Sequence, residues 1–568
     1  DNNSKDDKSR KDNPVDGDKS EGKLKKLWNK IKSNKKLSIP VAALVLISIV
    51  LIIPFTRYTV LGLFVRKTVT VKVMDSKYQR PVSKADVTIA GKSAQTNGDG
   101  VAKVSGVPVG NKNLKVTKKY YSDYENKILV PVTSKAVADV SFESTGRQVP
   151  ITIKNSINSK PLKDATITAG EVSAATDENG QAILVLSPLS NSESATISME
   201  NFNSRDVSVL VTESESFDNN FSLTPSGKIY FLSKKSGKID VVKTNLDGTD
   251  RQTVLAGTGN EEDYSTTLLA SRDWKYLVLH SRREDKAKLY LIETSNDQLT
   301  TIDEGDAVFT SVGWYGEQFI FSVDRNNVSY WQEKKYALKT YNANSKFLKT
   351  IDETSGEGSS DIDYASENFG QVYILDNELV YSKSWSSDYY SGGRIVGKKD
   401  TINSAKPDGG GKKVIKDFDA SKDSYLDQKL YKPQEIYYRF NNYTESKFYE
   451  YSGGKFEEVP TLTDDQFYGY YYTFLLSPSG IRTFWDEPRD GKNTLFIGNK
   501  DADDAREIAT LSEYKAYGWF TDEYILMSKN SSELYIGSQD EINNAIKITD
   551  YHKPENNFSG YGYGYGGL

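Results

Sequence analysis

An internal repeat constrains the fold of this chain more than any other feature of its sequence. Four anchor residues recur at one fixed offset along the chain. They pair Pro81 with Pro161, Ala85 with Ala165, Thr96 with Thr176, and Gly100 with Gly180. A constant offset over four anchors indicates two copies of one structural unit. The anchors stand among alternating Val, Ile and Thr residues, a pattern that predicts strands with one buried face.

Each copy also contains a turn sequence in which Asp and Asn side chains bond to the backbone and glycine supplies a positive φ. The turns read Thr96-Asn-Gly-Asp-Gly100 and Thr176-Asp-Glu-Asn-Gly180. Together with the preceding Lys/Arg-Pro-hydrophobic-x-x-Ala stretch, they resemble the carboxypeptidase regulatory-like, transthyretin-like sandwich family. The resemblance implies β-sandwich 1 over residues 67–145 and β-sandwich 2 over residues 146–221, and a role as stalk or spacer.

Residues 222–555 predict a larger, mostly β domain. Short strands recur there in evenly spaced units, and this many antiparallel repeats favour a β-propeller. The phrases Thr224-Pro-Ser-Gly227, Ser271-Arg-Asp-Trp274 and Ser477-Pro-Ser-Gly480 resemble the blade turns of TolB-like propellers. We expect seven blades, with six or eight left open. The Gly/Tyr-rich tail, residues 556–568, is low in complexity, and we expect it to be disordered.

One apolar run stands apart from the β pattern. Residues 37–55 carry no charge and predict a single transmembrane helix. Lysines crowd the N-terminal side, so we expect a cytoplasmic N-terminus and exported C-terminal domains. Residues 1–22 predict a disordered charged tail, and residues 23–36 a basic amphipathic segment at the membrane. The flanking residues are Trp28, Lys30, Lys32, Lys35 and Lys36. A cleaved signal peptide is the alternative, but no small-x-small site follows the run.

The charge and the cysteine content of the chain limit the classes of partner that it can bind. The net charge of −5 hides a basic N-terminus and an acidic remainder. The basic segment suits the lipids of the cytoplasmic membrane, whereas the acidic remainder argues against nucleic acid. The chain has no cysteine, which excludes disulfides, a thiolate nucleophile and Cys-ligated zinc, and which is commoner in exported bacterial proteins. The remaining partner is an unidentified envelope protein or glycan.

The sequence excludes most of the common catalytic motifs. His280 and His552 are the only histidines, and no Gly-x-Ser-x-Gly motif occurs. The glycine-rich stretch 392–399 lacks both the Ser/Thr and the helix of a phosphate loop. We therefore predict no catalytic residue, no cofactor, no metal site and no enzyme. The paired carboxylates Asp361/Asp363 and Asp464/Asp465 keep a carbohydrate-active enzyme open as the alternative.

Two aromatic clusters are the candidate contacts for a ligand or partner, because exposed rings offer large contact area at low entropic cost. They comprise Trp385, Tyr389, Tyr390, Tyr470, Tyr471 and Tyr472, all predicted near loops. Ring packing between blades is the other interpretation. The sequence thus predicts a membrane-anchored, surface-exposed, non-enzymatic binding or adhesion protein, with sandwiches as stalk and the propeller as head. A structural role in a cell-envelope complex is a further alternative.

Overall fold

The structure is a computed structural model of the chain. It describes residues 35–52, 54–77, 79–211, 219–355, 358–359, 363–389, 394–421, 423–442, 444–469, 473–510, 514–529 and 533–549. The predicted disordered segments 1–22 and 556–568 lie outside these ranges, as do Trp28, Lys30 and Lys32 of the predicted membrane flank.

Three helices occur in the described ranges: α1 (Lys35–Ile52), α2 (Pro54–Phe64) and α3 (Asp464–Gly469). Lys35 and Lys36 begin α1. Tyr58, Leu61 and Val65, in or just after α2, pack against the core of the first β domain. In the part of the chain that the structure describes, no helix has the length and apolarity needed to span a bilayer. The predicted transmembrane helix is therefore not confirmed.

Module 1, which we define as residues 66–142, consists of two facing sheets around one core. The sheets have the strand orders β4-β1-β7 and β3-β2-β5-β6, and β1 and β7 pair in parallel. Its strands are β1 (Arg66–Asp75), β2 (Asp86–Ile89), β3 (Lys92–Gln95), β4 (Val101–Pro108), β5 (Gly110–Thr117), β6 (Tyr124–Val130) and β7 (Ala136–Phe142). Valines at alternate positions of β1, with at most 1% exposure, form the centre of the core.

Module 2, residues 147–223, repeats this arrangement with the orders β11-β8-β14 and β10-β9-β12-β13. Its strands are β8 (Arg147–Asn155), β9 (Thr166–Ala169), β10 (Val172–Ala175), β11 (Gln181–Leu186), β12 (Ser192–Ser198), β13 (Arg205–Leu210) and β14 (Asn219–Leu223). The last strand, β14, again pairs in parallel with the first, β8.

The repeated threonines have the same role in both modules. The Thr96 hydroxyl donates to the Val82 carbonyl at 2.6 Å and accepts from the Ala85 amide at 2.8 Å. Thr176 makes the equivalent bonds to Leu162 and Ala165, at 2.5 and 2.9 Å. Both threonines are buried, so each hydroxyl satisfies backbone groups that no strand ladder reaches.

Residues 229–547 form a β-propeller of seven consecutive antiparallel sheets within the described ranges. Blade 1 contains β15 (Ile229–Ser233), β16 (Asp240–Thr244) and β17 (Gln252–Leu255). Blade 2 contains β18 (Thr267–Ala270), β19 (Tyr276–Ser281), β20 (Ala287–Glu293) and β21 (Gln298–Gly305). Blade 3 contains β22 (Ala307–Tyr315), β23 (Gln318–Arg325), β24 (Tyr336–Asn342) and β25 (Phe347–Glu353).

Blade 4 has five strands and the longest ones: β26 (Gly358–Ser359), β27 (Asp363–Ile374), β28 (Leu379–Tyr389), β29 (Arg394–Ala405) and β30 (Lys413–Ala420). Blade 5 contains β31 (Tyr425–Lys432), β32 (Glu435–Asn441), β33 (Ser446–Ser452) and β34 (Lys455–Glu458). Blade 6 contains β35 (Leu475–Leu476), β36 (Arg482–Arg489), β37 (Lys492–Asn499) and β38 (Arg506–Thr510). Blade 7 contains β39 (Tyr514–Trp519), β40 (Tyr524–Lys529), β41 (Glu533–Ser538) and β42 (Glu541–Lys547).

Blade 1 differs from the other blades in having three strands. In blades 2 and 6, a strand precedes the Ser-x-x-x turn and pairs with the strand that follows it. The strand at the corresponding place in blade 1 is β14, which precedes the turn at Thr224 but pairs with β8 of module 2. The strand that would complete blade 1 on its inner side therefore belongs to module 2.

Module 2 also contacts the propeller through its β8–β9 loop. Ile157 in this loop is 1% exposed and joins a hydrophobic cluster made otherwise by blades 1 and 7. The Asn155 amide donates to the Tyr524 hydroxyl at 2.8 Å, and the Asn158 amide donates to Glu523 at 3.0 Å. An apolar plug with flanking hydrogen bonds thus connects module 2 to blade 7.

Candidate functional site

The inner strands of the propeller enclose a central cavity of about 380 Å³. Blades 2 to 7 each contribute residues of an inner strand to its wall, on β18, β22, β27, β31, β35 and β39. We call this cavity the channel. Its wall is mainly apolar and aromatic, and includes Leu268, Val312, Ile374, Phe474 and Leu476. Ligand sites in proteins are typically cavities of this size with apolar walls and a few polar groups.

A tryptophan pair closes the channel wall where blade 1 lacks its inner strand. The Trp274 indole N–H of blade 2 donates to the Trp519 carbonyl of blade 7 at 2.8 Å. The Trp519 indole in turn donates to the Leu475 carbonyl of blade 6, also at 2.8 Å. These two bonds tie the inner edges of three blades together and leave both indole N–H groups satisfied.

Beside the tryptophan pair, the channel extends beyond the inner strands to the next strands of the neighbouring blades. Tyr230, Leu277 and Leu526 lie on β15, β19 and β40, and all three line the channel. They belong to blade 1 and to its two neighbours. The missing inner strand of blade 1 therefore enlarges the channel on this side.

Arg272 is the cation of the channel wall. It follows β18 in the turn before Trp274, and its side chain is half-buried. Burial lowers the pKa of Arg272, while Tyr315 and Asp376 act in the opposite direction. Among the described residues, Arg272 has no ion pair and no hydrogen bond. A guanidinium without a protein partner at the wall of a cavity is available to an anionic group of a ligand.

A second cavity of about 810 Å³ adjoins the channel between blades 2 and 3 and shares Leu269 and Ser311 with it. His280 on β19 lines this cavity, with its ring edge-on to Phe309 at 6.0 Å between centroids. Burial and the nearby Arg282 lower the pKa of His280, so the imidazole is neutral near pH 7. Its Nε2 atom is buried and has no partner among the described residues.

The structure places the predicted contact residues away from the channel or outside the described ranges. Trp385 lies in the middle of β28 rather than in a loop, next to Gly397 of the neighbouring strand. Tyr389 ends β28. Tyr390, Tyr470, Tyr471 and Tyr472 lie outside the described residues. A role for these rings in partner contact stays a prediction.

The structure places the paired carboxylates only in part. Asp464 is ion-paired with Arg439, and Asp363 lies at the start of β27, whereas Asp361 is not described. Across the described ranges, no three histidine or carboxylate side chains gather as a metal site would require.

Sequence reasoning noticed Ser271-Arg-Asp-Trp274 as a blade turn and missed its position at the channel. The signal was present, because this turn carries Arg and Trp where the two related phrases carry Pro and Gly. A blade turn with a cation and a large ring in place of turn-forming residues indicates a function beyond the turn itself.

The sequence matches no protein-family model and no curated protein. Solved structures with propellers are similar in fold. The propeller domain of the Trilobed protease from Pyrococcus furiosus is 13% identical, with 59% of this chain and 95% of that one covered and a TM-score of 0.35. An acylaminoacyl peptidase is 13% identical over 64% of this chain and 51% of its own, with a TM-score of 0.33. TolB from Acinetobacter baumannii is 10% identical over 55% and 77%, with a TM-score of 0.25.

This comparison contradicts the prediction that the protein is not an enzyme. The similar propellers include those of peptidases and of oligogalacturonate lyases, so the class of protein excluded by the sequence argument includes several of its structural neighbours. The exclusion is therefore withdrawn. Likeness at these identities concerns the fold, and it assigns no reaction to this chain.

Proposed function

We propose that the protein binds an external ligand in the channel of its propeller. The observation that carries this proposal is Arg272, which has no partner among the described residues and lies in the wall of this cavity. A guanidinium that has no protein partner at a cavity wall can pair with an anionic group of a ligand. The ligand is a segment of an envelope protein, a segment of a glycan, or a smaller molecule with the chemical groups of either.

The two modules act in this proposal as a spacer that carries the propeller. Support comes from the contact of module 2 with blade 7, where the Lys160 ammonium also meets the Asp540 carboxylate at 3.1 Å. A spacer joined firmly to its head transmits orientation as well as distance.

We further propose that residues 37–55 anchor the protein in the cytoplasmic membrane, with the modules and propeller outside. The support is the uncharged run itself and the lysines before it. Protease added to intact cells should digest the propeller and spare an epitope placed before residue 23. Digestion of that epitope with protection of the propeller would reverse the orientation.

Blocking the channel tests the proposed binding site. Gly518 lines the channel, and a Cβ atom built there meets nothing within 4 Å. Gly518→Leu should therefore fill the cavity without disturbing the wall. The original chain is first screened against peptide and glycan panels to find ligands that it retains. We expect Gly518→Leu to abolish the binding of these ligands, as measured by calorimetry.

The matched control is Gly305→Leu. Gly305 ends β21 away from the channel, and its Cβ position is equally open. Binding that survives Gly518→Leu as well as Gly305→Leu would contradict the channel as the site. Mass spectrometry of the retained ligand distinguishes binding from a reaction, because turnover would change its mass.

A further inference from the structure

Helix α2 has two apolar faces on opposite sides. Tyr58 and Leu61 lie on one face and pack against the core of module 1. Val60, Leu63 and Phe64 lie on the other face at positions i, i+3 and i+4, where they are 40%, 68% and 80% exposed. A contiguous exposed apolar patch of this kind marks a contact with another protein or with a membrane.

Close backbone contacts hold α2 at one end of module 1. A Cβ atom added at Gly62 would lie 2.9 Å from the Val109 carbonyl oxygen, and one added at Gly110 would lie 3.2 Å from the Tyr58 Cβ. The helix and the turn between β4 and β5 therefore approach more closely than side chains would allow. The Val109 amide also donates to the Val65 carbonyl at 3.3 Å. These contacts fix the orientation of module 1 relative to α2.

The half of module 1 next to α2 is basic. The strand registers place four segments in this half, namely residues 58–70, 89–93, 103–113 and 127–137. These segments contain no Asp or Glu, whereas they carry Arg66, Lys67, Lys92, Lys103, Lys112, Lys127 and Lys135. The acids of module 1 all lie in the other part of its chain, so this end of the module has a positive surface.

The position of α2 in the chain selects a lipid bilayer as the partner of this surface. The helix begins at Pro54, at the end of the uncharged run 37–55 that we propose as the membrane anchor. An apolar helix face next to a basic surface is the combination that binds the head-group region of anionic bilayers. A protein partner would explain the apolar face but would not explain why it directly follows the proposed anchor.

We propose that the α2 end of module 1 lies directly on an anionic lipid surface. Val60, Leu63 and Phe64 enter the boundary between head groups and acyl chains, and the basic side chains of the same end face the lipid phosphates. This inference rests on the membrane anchoring proposed above. It adds which surface of the modules touches the bilayer, and it makes module 1 a seated base rather than a domain on a free linker.

The test measures how close each end of module 1 lies to the lipid. Because the chain has no cysteine, Asn111→Cys and Gly98→Cys each provide a single site for a fluorophore. Asn111 is exposed beside the turn that contacts α2, and Gly98 lies in the opposite turn, where an added Cβ meets nothing within 4 Å. The whole chain is reconstituted into vesicles of equal phosphatidylcholine and phosphatidylglycerol, with a nitroxide quencher on a fraction of the head groups.

We expect quenching to be at least about twofold stronger at position 111 than at position 98. The two labels are separated by the 8 residues of β4, which is about 25 Å at about 3.3 Å per residue, and head-group quenching acts only at short range. Vesicles of phosphatidylcholine alone should give weaker quenching at position 111, because the neutral surface does not attract the basic side chains.

A pair of charge variants tests the basic surface. Lys127→Gln together with Lys135→Gln should lower the quenching at position 111 to the value in phosphatidylcholine alone. The matched control is Lys77→Gln together with Arg80→Gln, since both residues are exposed in the loop that follows β1 at the other end of module 1. This control removes the same charge from the chain and should leave the quenching unchanged.

A second pair of variants tests the apolar face. Leu63→Gln together with Phe64→Gln should lower the quenching at position 111 in both kinds of vesicle. Ile183→Gln is the control, because Ile183 is 58% exposed but lies in module 2. Thermal unfolding of all these variants should match that of the original chain, since the altered side chains are exposed.

The outcomes separate this inference from the anchoring on which it rests. Equal quenching at positions 111 and 98, in a chain that stays with the vesicles during alkaline washing, would overturn the inference and leave the anchor in place. Quenching at position 111 that neither pair of variants lowers would also overturn it. A chain that alkaline washing removes from the vesicles would contradict the anchoring itself, whereas ligand binding in the channel is tested separately by Gly518→Leu.

Discussion

At the scale of single residues, the most consequential side chains are those that the blade-turn pattern does not explain. Trp274 has φ of 58°, a left-handed conformation that bulky residues rarely adopt. Its indole reaches blade 7, and its ring lies 5.6 Å from the Phe520 ring. The turn therefore places a large ring across the gap left by the missing strand of blade 1.

Replacing Trp274 with Phe should loosen this closure. The change removes the N–H that bonds to the Trp519 carbonyl, and a lost hydrogen bond that leaves a buried group unpaired costs about 1–3 kcal/mol. We expect hydrogen exchange of the amides in β18 and β39 to accelerate by about tenfold or more, because local opening then costs less free energy.

Trp485→Phe is the control for this prediction. Trp485 is buried as well, but its indole donates to Glu487 of the same strand. Its replacement should accelerate exchange within blade 6 and leave β18 unchanged. Equal acceleration of β18 in both variants would show that loss of packing, rather than the bond between blades, governs the effect.

At the scale of elements, β14 shows that the partner of a strand does not follow from the sequence of that strand. The sequence argument ended the second sandwich at residue 221 and began the propeller at residue 222, and this boundary falls inside β14. Alternation of apolar and polar residues indicates which face of a strand is buried. This alternation would be the same whether β14 paired in the sheet of module 2 or in blade 1. Pairing with β8 is decided by the parallel return of the chain in module 2.

Blade 4 illustrates a related limit. The stretch around and after Tyr381 gives little strand signal in the sequence, whereas the described residues form two strands of 11 and 12 residues, β28 and β29. Ser, Lys and Tyr dominate these strands, and such residues carry little apolar alternation. Pairing between the strands, through ten or more register positions, supplies the order that local pattern does not indicate.

At the scale of the whole molecule, the two modules differ in one loop. Residue 157 of module 2 is a buried Ile, whereas the equivalent residue of module 1 is the exposed Lys77. The loop of module 2 contacts the propeller through Ile157, and the loop of module 1 has no apolar residue at this position. Of these two equivalent positions, only the one in module 2 therefore contributes apolar surface to the contact with the propeller.

Ile157→Lys, which places the residue of module 1 into module 2, should release this contact. Burial of an Ile side chain is worth about 1.5–3 kcal/mol, and an unpaired buried charge adds to the loss. We expect calorimetry to show a lower midpoint for unfolding of the propeller. Limited proteolysis should also cut more readily between module 2 and blade 1.

Ile183→Lys provides the comparison, since Ile183 is 58% exposed on β11 of the same module. This surface change should alter stability by no more than about 0.5 kcal/mol. If both variants unfold like the original chain, the loop contact does not contribute to holding the propeller.

The sequence by itself determined the elements of this protein that depend on local or periodic pattern. The repeated anchors, the turns with positive φ and the series of short strands all follow from residue spacing, because side-chain alternation and turn chemistry act over a few residues. Only the tertiary structure decided which strand completes which sheet, and that Arg272, Trp314 and Tyr517 line one cavity. These residues come from blades 2, 3 and 7, and closure of the ring, which no local pattern encodes, brings them together.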